Sequence, residues 1–162
     1  MKILITGSEG QLGRALNLTK PPNNDYLFCN KKIMDITNSL NCKDIIQQFK
    51  PDWIINCAAY TKVDKAESER NLAYMINALS VKNLAEAMKE INGNFIQIST
   101  DYVFNGKKNI PYQPNDIKSP INIYGKTKSL AEDFLKDIFK NSGKGIIIRT
   151  SWLMGSTGQN FA

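Results

Sequence analysis

The stretch Lys2-Ile3-Leu4-Ile5-Thr6-Gly7-Ser8-Glu9-Gly10-Gln11-Leu12-Gly13 decides how the rest of the chain is read. Residues 2–6 are a short apolar run, which predicts a buried strand. Gly7, Gly10 and Gly13 follow at once, and helical spacing takes over through about Leu18. A strand that turns through glycines into a helix gathers backbone N–H groups and the positive end of the helix dipole at one point. One glycine permits the tight turn, one lets the backbone approach a pyrophosphate, and one lets the helix pack closely on the strand. The spacing is GxxGxxG rather than the commoner GxGxxG. Alone, the loop reads either as a dinucleotide phosphate loop or as a tight strand-to-helix turn.

Outward from this loop the pattern alternates. Pro21 to Asp25 is a loop and Tyr26–Asn30 a second strand. Asn38 or Ser39 can cap a helix that runs to about Phe49, with Pro51 just past its end. Trp53–Cys57 is a third strand, residues 67–90 have helical apolar spacing, and Phe95–Ser99 is a fourth strand. A loop rich in Asn, Pro and Gly spans about 104–121. A helix follows from near Tyr124 to Lys140, and Gly145–Arg149 is a fifth strand. Strands alternating with helices predict an α/β fold, a Rossmann-type doubly wound parallel sheet with right-handed crossovers. No internal repeat or linker interrupts it, so residues 1–162 read as one NAD(P)-binding domain.

Composition narrows the chemistry. The chain has 162 residues, 42% hydrophobic and 22% charged, which fits a folded soluble protein. No run approaches the length needed to span a bilayer, and the N-terminal apolar run is too short for a signal peptide. The expected location is the cytoplasm. Cys29, Cys42 and Cys57 show no CxxC spacing, so no disulfide framework is expected. There is no histidine, which removes histidine metal sites and every His-based triad, and no metal is expected. The net charge is +6, but no basic block is longer than a pair such as Lys31-Lys32. A lysine-rich solvated surface explains this better than nucleic-acid binding, and it also suits anionic ligands.

Three further positions carry chemistry. An acid at the end of the second strand would bind a ribose 2′-hydroxyl and favour NAD. Here the strand ends in Asn30-Lys31-Lys32, which tolerates a 2′-phosphate and points to NADPH, with NADH as the alternative. Tyr124 and Lys128 are four residues apart and share one helix face. An ammonium beside a phenol lowers its pKa, making it a competent acid near neutral pH. Thr100 closes the fourth strand, at the carboxyl edge where ligands of such sheets sit, and its hydroxyl can stabilise developing negative charge on a substrate oxygen. Each signal is weak by itself; glycine loop, Thr100 and Tyr–Lys pair in this order are strong together.

With these residues in place, the sequence resembles the extended short-chain dehydrogenase/reductases, and among them the dTDP-4-dehydrorhamnose reductases. The resemblance is carried by ITGSEGQLGRAL (5–16), PDWIINCAAYTKVDKAE (51–67), STDYVFNG (99–106), YGKTKSLAE (124–132) and RTSWLMG (149–155). It implies hydride transfer from a nicotinamide to the keto carbon of a nucleotide-sugar, with Thr100, Tyr124 and Lys128 as the catalytic trio and Tyr124 as proton donor. It also implies that Gly7, Gly10, Gln11, Leu12 and Gly13 form the phosphate loop, that Asp35 and Ile36 lie on the adenine side, and that Ala58, Ala59 and Tyr60 turn over the ribose and nicotinamide. Asp101, Tyr102 and Trp152 then line the substrate. Residue type alone makes Trp152 equally a core residue. Asp64, Lys65 and Glu67 read as a solvated helix start. The family pattern continues past Ala162 into a smaller region that completes the sugar-nucleotide pocket, so this part is expected to be missing or truncated here, with an exposed sheet edge. A homodimer is left open. Two competing readings remain: a nucleotide-sugar epimerase or dehydratase, kept open by Asp101 directly after Thr100, and a non-catalytic NADP-binding regulatory subunit.

Overall fold

The computed structural model describes residues 1–155. The chain beyond Gly155, expected to trail off without a closing helix, lies outside the described residues. Five strands form at the five apolar runs: β1 (Lys2–Thr6), β2 (Asp25–Cys29), β3 (Trp53–Asn56), β4 (Asn94–Thr100) and β5 (Gly145–Thr150). All pair in parallel, in the order β2-β1-β3-β4-β5. The chain steps from β1 outward to β2 and then back across to β3. Right-handed crossovers therefore send the two intervening helices to opposite faces. These are α1 (Gln11–Thr19) and α2 (Ser39–Phe49). Where the direction reverses, the carboxyl ends of β1 and β3 part and leave a crevice.

One register row runs across the sheet as Leu27, Leu4, Ile54, Phe95 and Gly145. Leu4, Ile54 and Phe95 are fully buried, each worth about 1.5–3 kcal/mol of transfer free energy. They join the main core with Ile46 of α2, with Leu84 and Met88 of the helix before β4, and with Leu135 of the helix before β5. Ile147 packs on the same side, so its neighbours Ile146 and Ile148 point to the other face, where they are 39% and 42% exposed. Among the described residues β5 is a sheet edge.

Caps set the helix limits. Asn38 accepts from the Asn41 N–H at 3.1 Å and starts α2, which ends at Lys50 in the left-handed conformation (φ +50°), just ahead of Pro51. The helical region expected at 67–90 is divided in the structure. A short turn, α3 (Val63–Ala66), precedes α4 (Arg70–Tyr74); a wide π-helical turn spans Met75–Leu79; α5 (Ser80–Glu90) completes it. The Ser80 hydroxyl donates to the Met75 carbonyl at 2.6 Å within the wide turn. The last helix, α6 (Ile123–Ile138), starts where Asn122 accepts from the Gly125 N–H at 2.7 Å. No helix among the described residues is long and apolar enough to cross a membrane.

Candidate functional site

At the carboxyl edge of the sheet, the ends of β1, β3, β4 and β5 and the start of α6 surround one cleft of about 1100 Å³. The glycine loop forms one wall. Gly7 adopts φ +62°, and a side chain there would lie 2.7 Å from the Ala58 nitrogen. A side chain at Gly13 would lie 2.5 Å from the Gly7 carbonyl oxygen and 2.6 Å from the Ser8 Cα. The loop is thus compressed between β1, the end of β3 and α1, and only glycine fits at both places. Gly10, the N-cap of α1, has no side chain to cap it. Helix-start amides beside a close backbone approach fit a pyrophosphate. Gln11 Nε2 donates to the Leu153 carbonyl at 3.0 Å, joining the start of α1 to the chain beyond β5.

The floor is polar but fully paired. The Thr6 hydroxyl donates to Asn56 Oδ1 at 2.5 Å, Asn56 Nδ2 to Gln97 Oε1 at 2.8 Å, and Gln97 Nε2 to the Ile98 carbonyl at 2.7 Å. This chain of amides ties β1, β3 and β4 together beneath the cleft.

Most residues singled out from the sequence line this one cavity: Gly7, Gly10, Gln11, Leu12, Gly13, Asp35, Ile36, Ala58, Ala59, Thr100, Asp101, Tyr102, Tyr124, Lys128 and Trp152. Asn30 and Tyr60 do not. Asn30 is occupied in its own turn, accepting from the Lys32 and Ile33 N–H groups at 3.0 Å each and donating to Glu9 Oε1 at 2.7 Å. Lys31, its neighbour, takes the place on the wall. The expectation that no carboxylate stands near the end of β2 is corrected, since the glycine loop folds Glu9 onto it. Tyr60 turns inward: its backbone N–H and carbonyl both bond to the buried Asn77 (2.8 and 3.0 Å), and its hydroxyl donates to Glu69. Trp152 is 66% exposed at φ +53°, so the core-packing reading fails.

At the end of β4, Thr100 accepts from the Tyr102 N–H at 3.2 Å and donates to Asp101 Oδ1 at 3.0 Å. The Ser151 hydroxyl holds the other Asp101 oxygen at 2.9 Å. Tyr124 packs edge-on against Tyr102, ring centroids 5.7 Å apart. Burial pushes the Tyr124 phenol above its ordinary pKa, and the Thr100 hydroxyl beside it opposes that rise. Lys128 is 3% exposed, and its ammonium donates to the Ile98 carbonyl at 2.6 Å. Burial lowers its pKa to about 8, against the pull of Glu132 and Cys57. A phenol acidified by its lysine was the sequence expectation. Desolvation reverses it: the phenol holds its proton more tightly, and the ammonium is the group brought near neutrality.

Two contacts were not anticipated. Glu67, read as a solvated helix start, accepts from the Ile123 N–H at 2.8 Å. It therefore caps the helix that carries Tyr124. Asn77 Nδ2 lies 3.2 Å from the Thr127 hydroxyl, linking the π turn to the residue beside Lys128. An Asn in the middle of an apolar helix face was the available signal for the second; the first joins residues too distant in sequence to be read.

The model of the RmlD substrate binding domain family matches residues 1–162. The chain is 45% identical over 162 residues to the dTDP-4-dehydrorhamnose reductase of Aggregatibacter actinomycetemcomitans, covering 99% of this chain and 54% of the relative. It is 39% identical to the spore coat polysaccharide biosynthesis protein SpsK of Bacillus subtilis, covering 99% and 56%. The crystal structure of the Bacillus anthracis dTDP-4-dehydrorhamnose reductase in complex with NADP superposes with a TM-score of 0.94 at 44% identity, again over 99% of this chain and 56% of that one. The chain spans about half the length of the curated relatives it matches.

Proposed function

The chain belongs to the RmlD substrate binding domain family, and from that premise we propose that it is the cofactor-binding and proton-donating part of a reductase converting dTDP-4-dehydro-L-rhamnose to dTDP-L-rhamnose, with NADPH as reductant and NADH as the alternative. The observation that carries this reading is convergence. Thr100, Tyr124 and Lys128, drawn from β4 and α6, open into the same cleft as the glycine loop of β1 and α1. Support comes from the NADP held by the Bacillus anthracis relative. Gly7, Gly10 and Gly13 would seat the pyrophosphate against α1, and Lys31, on the same wall and 3.8 Å from the Asp35 carboxylate, would offer a 2′-phosphate a positive charge.

When bound, the reduced nicotinamide supplies a hydride to the keto carbon of the sugar. The residues of this chain manage the oxygen. Tyr124, whose raised pKa keeps its proton at neutral pH, gives that proton to the oxygen as negative charge develops there. Lys128, still largely protonated below its pKa of about 8, offsets the charge left on the phenolate. Thr100 offers a second hydrogen bond to the substrate oxygen. Asp101, already held by Thr100 and Ser151, is a lining residue. The reading also carries a nucleotide-sugar partner and a cytoplasmic location, and sedimentation would settle whether the protein is a homodimer.

The test is Tyr124→Phe. It must abolish NADPH oxidation with the keto-sugar while leaving NADPH binding, measured by nicotinamide fluorescence, near wild type. A regulatory subunit would lose nothing, and an epimerase or dehydratase would show no net NADPH consumption in the wild type.

A further inference from the structure

Glu132 sits one helical turn beyond Lys128 on α6, beneath the cleft rather than on its wall. It is completely buried. Its Oε1 accepts from the Ser99 hydroxyl at 2.6 Å and from Arg149 Nε at 2.8 Å, and its Oε2 accepts from Arg149 Nη2 at 2.7 Å. Lys118 Nζ lies 3.5 Å from Oε2.

These partners come from separate parts of the site. Ser99 precedes Thr100 at the end of β4. Arg149 is on β5. Lys118 belongs to the 104–121 loop, and it also donates to the Ser129 carbonyl at 2.7 Å and to Asp133 at 2.6 Å. Arg149 reaches the same loop twice: Nη1 donates to the Pro114 carbonyl at 3.0 Å, and the guanidinium stacks 4.9 Å over the Phe104 ring. Phe104 in turn lies flat against Tyr112, centroids 4.2 Å apart. Both rings line the cleft.

A buried ion pair is a poor source of stability, because desolvation consumes most of its attraction. What a fork-to-fork Arg–carboxylate pair supplies is fixed geometry. Here that geometry joins the helix bearing Tyr124 and Lys128, the strand end bearing Thr100, and the aromatic wall of the cleft.

We propose that Glu132 is a positioning residue of the proposed reductase: through Ser99, Arg149 and Lys118 it holds the proton-donating helix, the Thr100 strand end and the Phe104–Tyr112 wall at one fixed spacing. The inference rests on the reductase reading. Its charge has a second effect. The groups that bear on the Lys128 ammonium are Glu132 on its own helix and Cys57 at the end of β3, with Tyr124 one turn before it. Glu132 is thus the carboxylate that opposes the desolvation of Lys128.

Glu132→Gln and Glu132→Asp would be compared with wild type in kcat, NADPH dissociation constant and the pH profile of kcat. The Gln variant keeps the size and loses the charge. The Asp variant keeps the charge and withdraws it by one methylene. Both are expected to lose about 10- to 100-fold in kcat with NADPH binding near wild type. Only the Gln variant is expected to move the basic limb of the profile to lower pH. A purely structural role would lower the folded fraction and leave both the turnover of the folded molecules and the basic limb unmoved. A folded Gln variant with wild-type kcat and basic limb overturns the inference. If the Gln variant fails to fold, Arg149→Lys, which keeps the charge and loses the fork, must show the same loss of kcat, and wild-type kcat there overturns it equally. A wild type that oxidises no NADPH sinks the reductase reading and the inference with it, an outcome distinct from an active wild type with indifferent variants.

Discussion

The tightest joint in the site is Gly125, and adding one methyl group there separates stability from catalysis. The Gly125→Ala Cβ would press well inside contact distance of the Tyr102 carbonyl oxygen, 3.0 Å from its carbonyl carbon and 3.1 Å from the Asn122 cap oxygen. Two of these atoms are backbone and cannot rotate away. Ordinary contact begins near 3.4 Å, so the first turn of α6 must withdraw from the Asp101–Val103 turn by about 1 Å, a displacement of the size that costs roughly 100-fold in rate. That is about 2.7 kcal/mol of transition-state stabilisation. Stability is affected less. Overpacking costs about 1–3 kcal/mol, and alanine returns up to about 1 kcal/mol of helix propensity. The net loss of about 0–2 kcal/mol lowers Tm by up to about 8 °C in a chain of this size. The glycine loop lies on the other side of the cleft, so NADPH affinity is expected to hold. The assay pairs thermal unfolding with kcat from NADPH oxidation. A variant that unfolds near the wild-type temperature and turns over at the wild-type rate would show that the Tyr102–Gly125 contact does not set the position of Tyr124.

Two further outcomes follow from buried titratable groups. Burial lowers the Lys128 pKa from 10.5 to about 8, so between those values the unfolded chain holds a proton the folded one has released. Stability must therefore rise with pH across that window, by roughly 3 kcal/mol at about 1.4 kcal/mol per unit; urea midpoints of wild type minus Lys128→Met, measured from pH 8 to 10.5, should rise, and a flat difference would refute the burial argument. Burial likewise raises the thiols of Cys29 and Cys42 to about 11 and of Cys57 to about 12. A thiol reagent at pH 8 should therefore modify all three in urea and almost none in the native protein, and rapid native labelling of Cys57 would contradict the desolvation of its thiol.

The strands were legible because each is a short apolar run bounded by turn residues, isoleucine-rich in β1, β3, β4 and β5 and Tyr-Leu-Phe-Cys in β2, and a parallel sheet needs such runs. That Thr100, Tyr124 and Lys128 line one cleft was legible because strand ends and i,i+4 spacing are local properties. What escaped was the electrostatic balance and the long-range joinery. The direction of the Tyr124 and Lys128 shifts depends on how deeply β4 and α6 bury them, which spacing does not contain. The Glu67 cap on Ile123 spans 56 residues of sequence and the Glu132–Arg149 pair 17. In the sequence Glu67, Glu132 and Arg149 look like surface charges. Asn30 was placed on the cleft as the end of the second strand and Tyr60 from the family pattern, but each satisfies its hydrogen bonds elsewhere, Asn30 with Glu9 and Tyr60 with Asn77 and Glu69.

The wide turn at Met75–Leu79 has a geometric consequence for the helix from Arg70 to Glu90. A π turn holds one residue more than an α turn, and one residue advances a helix by about 100°. The two halves therefore run out of phase. Ala73, ahead of the turn, faces a small cluster with Tyr60 and Ala66, whereas Val81, Leu84, Ala85 and Met88, behind it, face the main core, and Ile76 touches both. The extra residue works as an angular adapter that lets one rod serve two apolar surfaces lying at different azimuths. Excising it would bring one half into alignment only by rotating the other toward water.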